Sequence, residues 1–343
     1  MTVTVATLDA DTMERWDAYV QSAPQATFFH RAGWKTVLEK AFGHRTYFLY
    51  AQDAGNIVGI LPLAQIKSAL FGNSLSSLPF CVYGGIVAES EQVAEELRNA
   101  ACRLAESLKV GALELRNTSA SGSNWPVKEL YYTFRKAIDP SDEVNLKAIP
   151  NRQRAMVRKG IQEGLSSEWD TGTERLYRVY SESVRNLGTP VFSAKYLRIL
   201  RQVFGDDCSV LMITHQGQDV AAVMSFYFRD EVIPYYGGST SAARTLKGAN
   251  HVMYWELMRR SAEQGYRLFD FGRSKAGTGP FSFKKNYGFE PQPLPYEYYL
   301  VTSGAVPDLN PLNPKYRLMI NVWSKLPLPV ANCIGPFLAR SLG

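Results

Sequence analysis

At 343 residues the chain is long for one compact core and suited to two. Its 45% hydrophobic and 20% charged residues are ordinary for a globular protein and exclude extended disorder. The net charge of +6 suits an anionic partner, such as a nucleotide, a phosphorylated carrier, an RNA or a membrane surface. No Lys/Arg block of the kind that forms a DNA-binding arm is present; the densest stretch, Asn151 to Lys159, alternates cations with apolar residues as a solvated helix face does.

The first ten residues have no basic start, apolar run or small-residue cleavage site, so the expected location is cytoplasmic. Cys81, Cys102, Cys208 and Cys333 contain no Cys-x-x-Cys pair and read as thiols without chemistry. His44, His215 and His251 lack metal-ligand spacing, so no metal site is expected.

Along the chain, Tyr47–Ala51 and Ile57–Leu63 are strand-like runs flanking the turn material Gln52 to Asn56, which predicts a hairpin. A short strand ending in Tyr83-Gly84-Gly85 comes next, then an amphipathic helix over 91–108, then through Gly111 a strand over 112–116. A break at Asp139-Pro140-Ser141-Asp142 leads into helical sequence. The same order then returns. Val210–Thr214 and Val220–Phe228 form a second hairpin around 215–219; a strand ends in Tyr236-Gly237-Gly238; a helix over 250–264 leads through Gly265 to a strand over 267–271. Two copies of one α/β unit, each a mixed, largely antiparallel sheet flanked by helices, are the expectation, with boundaries at 1–145 and 146–303 and a tail over 304–343.

These residues resemble the FemAB-like proteins, whose halves have the GNAT acyltransferase fold, and especially members associated with exosortase and PEP-CTERM exopolysaccharide systems. In the first half the resemblance rests on Thr27-Phe-Phe-His-Arg-Ala-Gly-Trp34, Val58 to Leu63 and Ser77 to Gly85. In the second it rests on Phe269-Asp-Phe-Gly-Arg-Ser274, Gly277-Thr-Gly279 and Phe281 to Phe289, with Trp323 to Pro329 closing the match. It implies transfer of an acyl or aminoacyl group to an amine of a sugar, peptide or small metabolite in envelope or exopolysaccharide assembly. Fem enzymes take the group from aminoacyl-tRNA and often carry a long helical hairpin in the second half. This sequence has no insertion of that length, which points toward acyl-CoA as co-substrate and leaves aminoacyl-tRNA as the alternative.

Attack of an amine on an ester or thioester needs a neutral amine, close positioning and donors aimed at the developing oxyanion, with no obligatory protein nucleophile. The sequence accordingly lacks Gly-x-Ser-x-Gly, a Walker loop and His-Glu-x-x-His. Arg244, Lys247, Gly248, Ala249 and Asn250, at the start of the second crossover helix, are the candidates for holding the donor's phosphates. GNAT domains place Arg/Gln-x-x-Gly-x-Gly/Ala there, and Gly248 stands one position late; an ordinary polar loop is the alternative. Asp270, Arg273 and Ser274, at the end of a strand, and Lys284 and Lys285 beyond the glycine-rich link form the second cluster, where ligands of open α/β sheets sit. Arg273 suits a phosphate or carboxylate, and either lysine an anion or oxyanion. Asp270 and Glu256 are candidate bases and Tyr254 a candidate proton donor. His30, Trp34, Tyr83 and Tyr236 are candidate walls of an acceptor site, against packing as the plainer role.

The tail from Pro311 mixes aromatic and aliphatic residues with Lys315, Arg317, Lys325 and Arg340 and is too broken by proline to span a bilayer as one helix. Packing on the domains is one reading and peripheral contact with a membrane the other. A rival to catalysis is a carrier-recognition subunit that keeps the fold without turnover.

Overall fold

The computed structural model describes residues 3–68, 71–307 and 314–342. Strands run in chain order β1 (Thr4–Thr7), β2 (Arg45–Asp53), β3 (Asn56–Ser68), β4 (Gly72–Ser77), β5 (Val87–Ala88), β6 (Ala112–Arg116), β7 (Val127–Ala137), β8 (Ser166–Asp170), β9 (Cys208–His215), β10 (Gln218–Phe228), β11 (Glu231–Ser239), β12 (Leu268–Asp270), β13 (Ser274–Lys275) and β14 (Pro291–Leu300). The helices are α1 (Met13–Ser22), α2 (Gly33–Val37), α3 (Glu91–Ser107), α4 (Asp142–Ala148), α5 (Asn151–Gln162), α6 (Glu174–Asn186), α7 (Ala194–Phe204), α8 (Ala249–Glu263), α9 (Gly279–Asn286), α10 (Pro314–Trp323) and α11 (Leu328–Ala339).

Two compact units divide the chain: Met1–Tyr131 with Pro293–Leu309 and Arg340–Gly343, and Tyr132–Gln292 with Asn310–Ala339. The first is an antiparallel meander β1-β2-β3-β4, joined by α3 to β6, which runs parallel to β4; β14 then adds antiparallel to β6. Val93, Leu97, Ala101 and Ala105 recur every four residues and form the buried stripe of α3, packed over Leu61, Leu63, Leu113 and Leu115. Close approach is possible because β3 carries Gly59, where a Cβ would lie 2.7 Å from the Val93 methyl.

The second unit repeats the plan. Strands β8-β9-β10-β11 form the meander, α8 crosses over to β12, parallel to β11, and β7 adds antiparallel to β12. The parallel step needs a crossover, and α8 supplies it. The core under α8 joins Val252, Met253, Leu257 and Met258 to Leu211, Ile213, Val223, Val232 and Phe269.

The last strand of each unit comes from the other end of the chain. After β6 the chain leaves along β7 to complete the second sheet, and after α9 it returns along β14 to complete the first. Hydrophobic alternation predicts the strands but carries no signal for this exchange, since either sheet would accept either strand. One element departs from expectation: β4 ends at Ser77, and Tyr83-Gly84-Gly85 lies in the loop that follows, whereas Tyr236-Gly237-Gly238 is within β11.

Candidate active site in the second unit

Strands β11 and β12 pair over two positions only, Glu231 with Leu268 and Val232 with Phe269, although β11 continues to Ser239. Beyond Val232 they part, and the edge of β11 that faces away from β10 has no further strand partner among the described residues. Backbone N–H and C=O groups along such an edge can receive an extended ligand as a strand would be received.

At the mouth of this opening stands Asp270, the last residue of β12 and fully buried. One carboxylate oxygen accepts the Gly272 N–H at 2.6 Å and the Thr133 hydroxyl at 3.1 Å. The other lies 3.4 Å from Arg135 Nε. Arg135, on β7, also holds Glu231 at 2.9 Å. Burial drives the Glu231 carboxyl well above the usual range, and the neighbouring Asp270 carboxylate adds to it while Arg135 opposes. Two carboxyls and one guanidinium are thus packed together, and burial beside Asp270 favours the protonated form of Glu231. Asp270 fixes the loop after β12 and has little left with which to act as a base.

That loop is held a second time by Lys284, on α9, whose ammonium donates to the Gly272 carbonyl at 3.0 Å and the Arg273 carbonyl at 3.2 Å. The half-buried side chain runs beside the rings of Phe134 and Phe271. Burial lowers its pKa to about 7, with Asp270 opposing and Arg273 adding to the shift. Two of three N–H bonds are committed to the loop, leaving one donor for a third group. The Ser274 hydroxyl beside it is buried and has no hydrogen-bond partner, which is costly unless a ligand supplies one. Arg273 is half-buried and Lys285 exposed. α9 starts cleanly, because Thr278 caps it and Pro280 occupies the first turn.

Tyr254, on α8, packs edge-on against Phe271 with ring centroids 4.8 Å apart, and burial pushes its phenol up to about 12. It keeps its proton at neutral pH and so is suited to give up a proton rather than to act as a base. Glu256, also on α8, accepts from Ser167 of β8 at 2.7 Å and pairs with Arg259 at 3.0 Å, so its carboxylate is engaged by β8 and its own helix.

The start of α8 differs from the expected phosphate cradle. Arg244, Lys247 and Asn250 are exposed, but Gly248 and Ala249 are buried. The Lys247 N–H is donated to the Glu163 carboxylate at 3.0 Å. Gly248 has φ 94°, and a Cβ there would collide with the Met156 carbonyl of α5. The glycine is therefore required by helix packing as well as by its left-handed backbone.

In the first unit, His30 is buried and neutral: Nδ1 accepts the Thr27 N–H at 3.1 Å, Nε2 reaches the Gly85 carbonyl at 3.0 Å, and burial lowers its pKa to about 4. It closes one wall of a cavity of about 300 Å³ that also involves Arg98, Asn117 and Ser121. Trp34 has no exposed surface and spends its indole N–H on Phe28; Tyr83 is buried edge-on to Phe29. In the second unit Tyr236 is buried with its hydroxyl 2.7 Å from that of Tyr196. These three are core residues rather than open walls, because aromatic runs next to glycine-bearing turns fill the space beneath them. Thr133, Arg135 and Glu231 escaped sequence reasoning, since they come from β7 and β11, strands that no motif links to Asp270.

Residues 151–285 match the family model described as "Acetyltransferase (GNAT) domain". No curated protein matches the chain by sequence. Among solved structures, the chain is similar to FemX (14% identity, 92% of this chain and 100% of that one, TM-score 0.67). It is also similar to L-PGS from Bacillus licheniformis (15% identity, 94% and 98%, TM-score 0.56). A third likeness is to a tandem GNAT protein from the clavulanic acid biosynthesis pathway (13% identity, 90% and 100%, TM-score 0.54). At these identities the likeness is one of fold. By fold, then, the chain is a tandem GNAT-type protein similar in architecture to FemX, and residues 151–285 match the GNAT domain family.

Proposed function

We propose that this protein transfers an activated acyl or aminoacyl group to an amine, with the reacting centre in the second unit where β11 and β12 part beside Lys284. The parting of those strands is the observation that carries the reading. An acyl group laid against the free edge of β11 would bring its carbonyl toward the loop Gly272–Ser274. The incoming amine forms the N–C bond, the carbonyl oxygen takes up negative charge, and collapse breaks the C–S or C–O bond. The proton lost by nitrogen leaves with the thiol or hydroxyl. Lys284, as the cation, supplies the remaining N–H to the oxyanion; Ser274 is a second donor. Arg273 would bind an anionic group of the donor or acceptor, and Tyr254 would relay the proton, giving its own to the leaving group and regaining the one lost by nitrogen.

The donor we favour is acyl-CoA, with Arg244, Lys247 and the first-turn N–H groups of α8 near its phosphates and Lys285 at the rim. Aminoacyl-tRNA is the second reading, and one observation favours it. Glu163 and α5 crowd the start of α8, while α5 presents Arg154, Arg158 and Lys159 along an open groove of about 490 Å³. The acceptor class follows the sequence resemblance: an amino group on a sugar, peptide or small metabolite of envelope assembly.

The test is transfer of label from acetyl-CoA, longer acyl-CoAs and aminoacyl-tRNA to a panel of amino sugars and peptides, with wild type, Arg273→Ala and Lys284→Ala. We expect turnover with one donor class and losses of roughly 100-fold or more in Lys284→Ala, as for removal of an oxyanion donor. Equal turnover in wild type and both variants would remove this centre from the reaction.

A further inference from the structure

We propose that the α10–α11 tail of the second unit is a docking surface for an anionic phospholipid bilayer, lying in the plane of the interface. α11 carries no charged side chain, and its residues are distributed the wrong way round for a surface helix. Its small residues Ala331, Gly335 and Ala339 face inward, while Val330, Ile334 and Phe337 at i, i+4 and i+7 are exposed, Phe337 to 72%. A helix that meets only water turns its large apolar side chains toward the protein.

The exposed residues form one patch. A Cβ on Gly188 would lie 2.7 Å from the Ile320 carbonyl of α10, and one on Gly335 of α11 would lie 3.0 Å from the Val191 backbone, so both helices rest on the loop between α6 and α7. That loop begins with Leu187, 68% exposed, and α10 adds Met319 and Val322 on its outer side. Six of the nine exposed large hydrophobic residues among the described residues therefore border this loop and its two helices, which is concentration rather than scatter.

Charge selects the occupant. From Leu309 to Ala339 the sequence has no Asp or Glu, but it has Lys315, Arg317 and Lys325. A second copy of the chain would set these cations against their own kind. An anionic bilayer offers negative headgroups and an apolar layer beneath them, matching both features. Twelve residues of helix extend about 18 Å, short of a span, and no helix among the described residues is long and apolar enough to cross a membrane.

The test uses the full chain with vesicles of phosphatidylcholine alone and of phosphatidylcholine mixed with phosphatidylglycerol. The wild type is expected to co-sediment with the mixed vesicles, less so at raised salt. The double variant Ile334→Ser/Phe337→Ser is expected to lose at least roughly tenfold in partitioning, with an unchanged melting temperature because both side chains are exposed. A dye on the exposed Cys333, in a Cys102→Ala background, should shift to the blue with mixed vesicles only. Absence of wild-type binding to either vesicle, equal binding to both, or equal binding by the double variant overturns the proposal. So does a dimer that the double variant abolishes without any vesicle binding, which would make the patch a self-interface.

Discussion

The Glu163 carboxylate accepts the backbone N–H of Lys247 at 3.0 Å, two residues before the helix whose start would receive a donor's phosphates. A carboxylate in that position competes for the N–H and repels a phosphate. If acyl-CoA is the donor and its phosphates come to the start of α8, Glu163→Ala should bind CoA several-fold more tightly, read by calorimetry. Unchanged or weaker affinity would take the phosphates elsewhere and strengthen the aminoacyl-tRNA reading.

Gly248 is expected to be a stability position. Its φ of 94° and the Met156 carbonyl leave no space for a side chain, so Gly248→Ala should cost on the order of 1–3 kcal/mol in denaturant unfolding. A neutral result would mean that α5 moves aside readily and that the helix start is open.

Lys284 should impose a pH limit on turnover. With its pKa lowered to about 7, the ammonium is lost as pH rises through neutrality. If the cation stabilises the oxyanion, kcat/KM should show a falling limb near pH 7 that Lys284→Arg removes, because a guanidinium stays charged. A limb that persists in Lys284→Arg belongs to another group.

Glu231 should make folding stability depend on pH. Its native pKa is raised by burial, so the native state holds a proton that the unfolded chain has released. Stability should therefore fall as pH rises from the unfolded value, roughly 4.3, through the raised native value, and level off above it. Glu231→Gln should flatten that decline in melting temperature between about pH 4.3 and the native pKa; an unaltered decline would assign it to other groups.

Much of the architecture was legible in local sequence. Period-two and period-3.6 patterns gave both hairpins, α3, α8 and β6 to within a few residues, because each is an amphipathic segment whose turn or cap is written beside it. Arg273, Ser274 and Lys284 were legible as a cluster for the same reason: they follow a strand within fifteen residues. The four-residue spacing of Val93, Leu97, Ala101 and Ala105 likewise marks its own buried face.

Only the tertiary structure decided which sheet each of β7 and β14 completes, since strand pairing is a long-range choice that alternation leaves open. It also turned Asp270 from a candidate base into the anchor of a loop, through Thr133, Arg135 and Glu231 on other strands. It gave Gly248 a packing role against α5, and it turned the apolar residues of α11 outward. In each case the deciding partner is distant in sequence, and burial, not residue type, sets what a side chain can do.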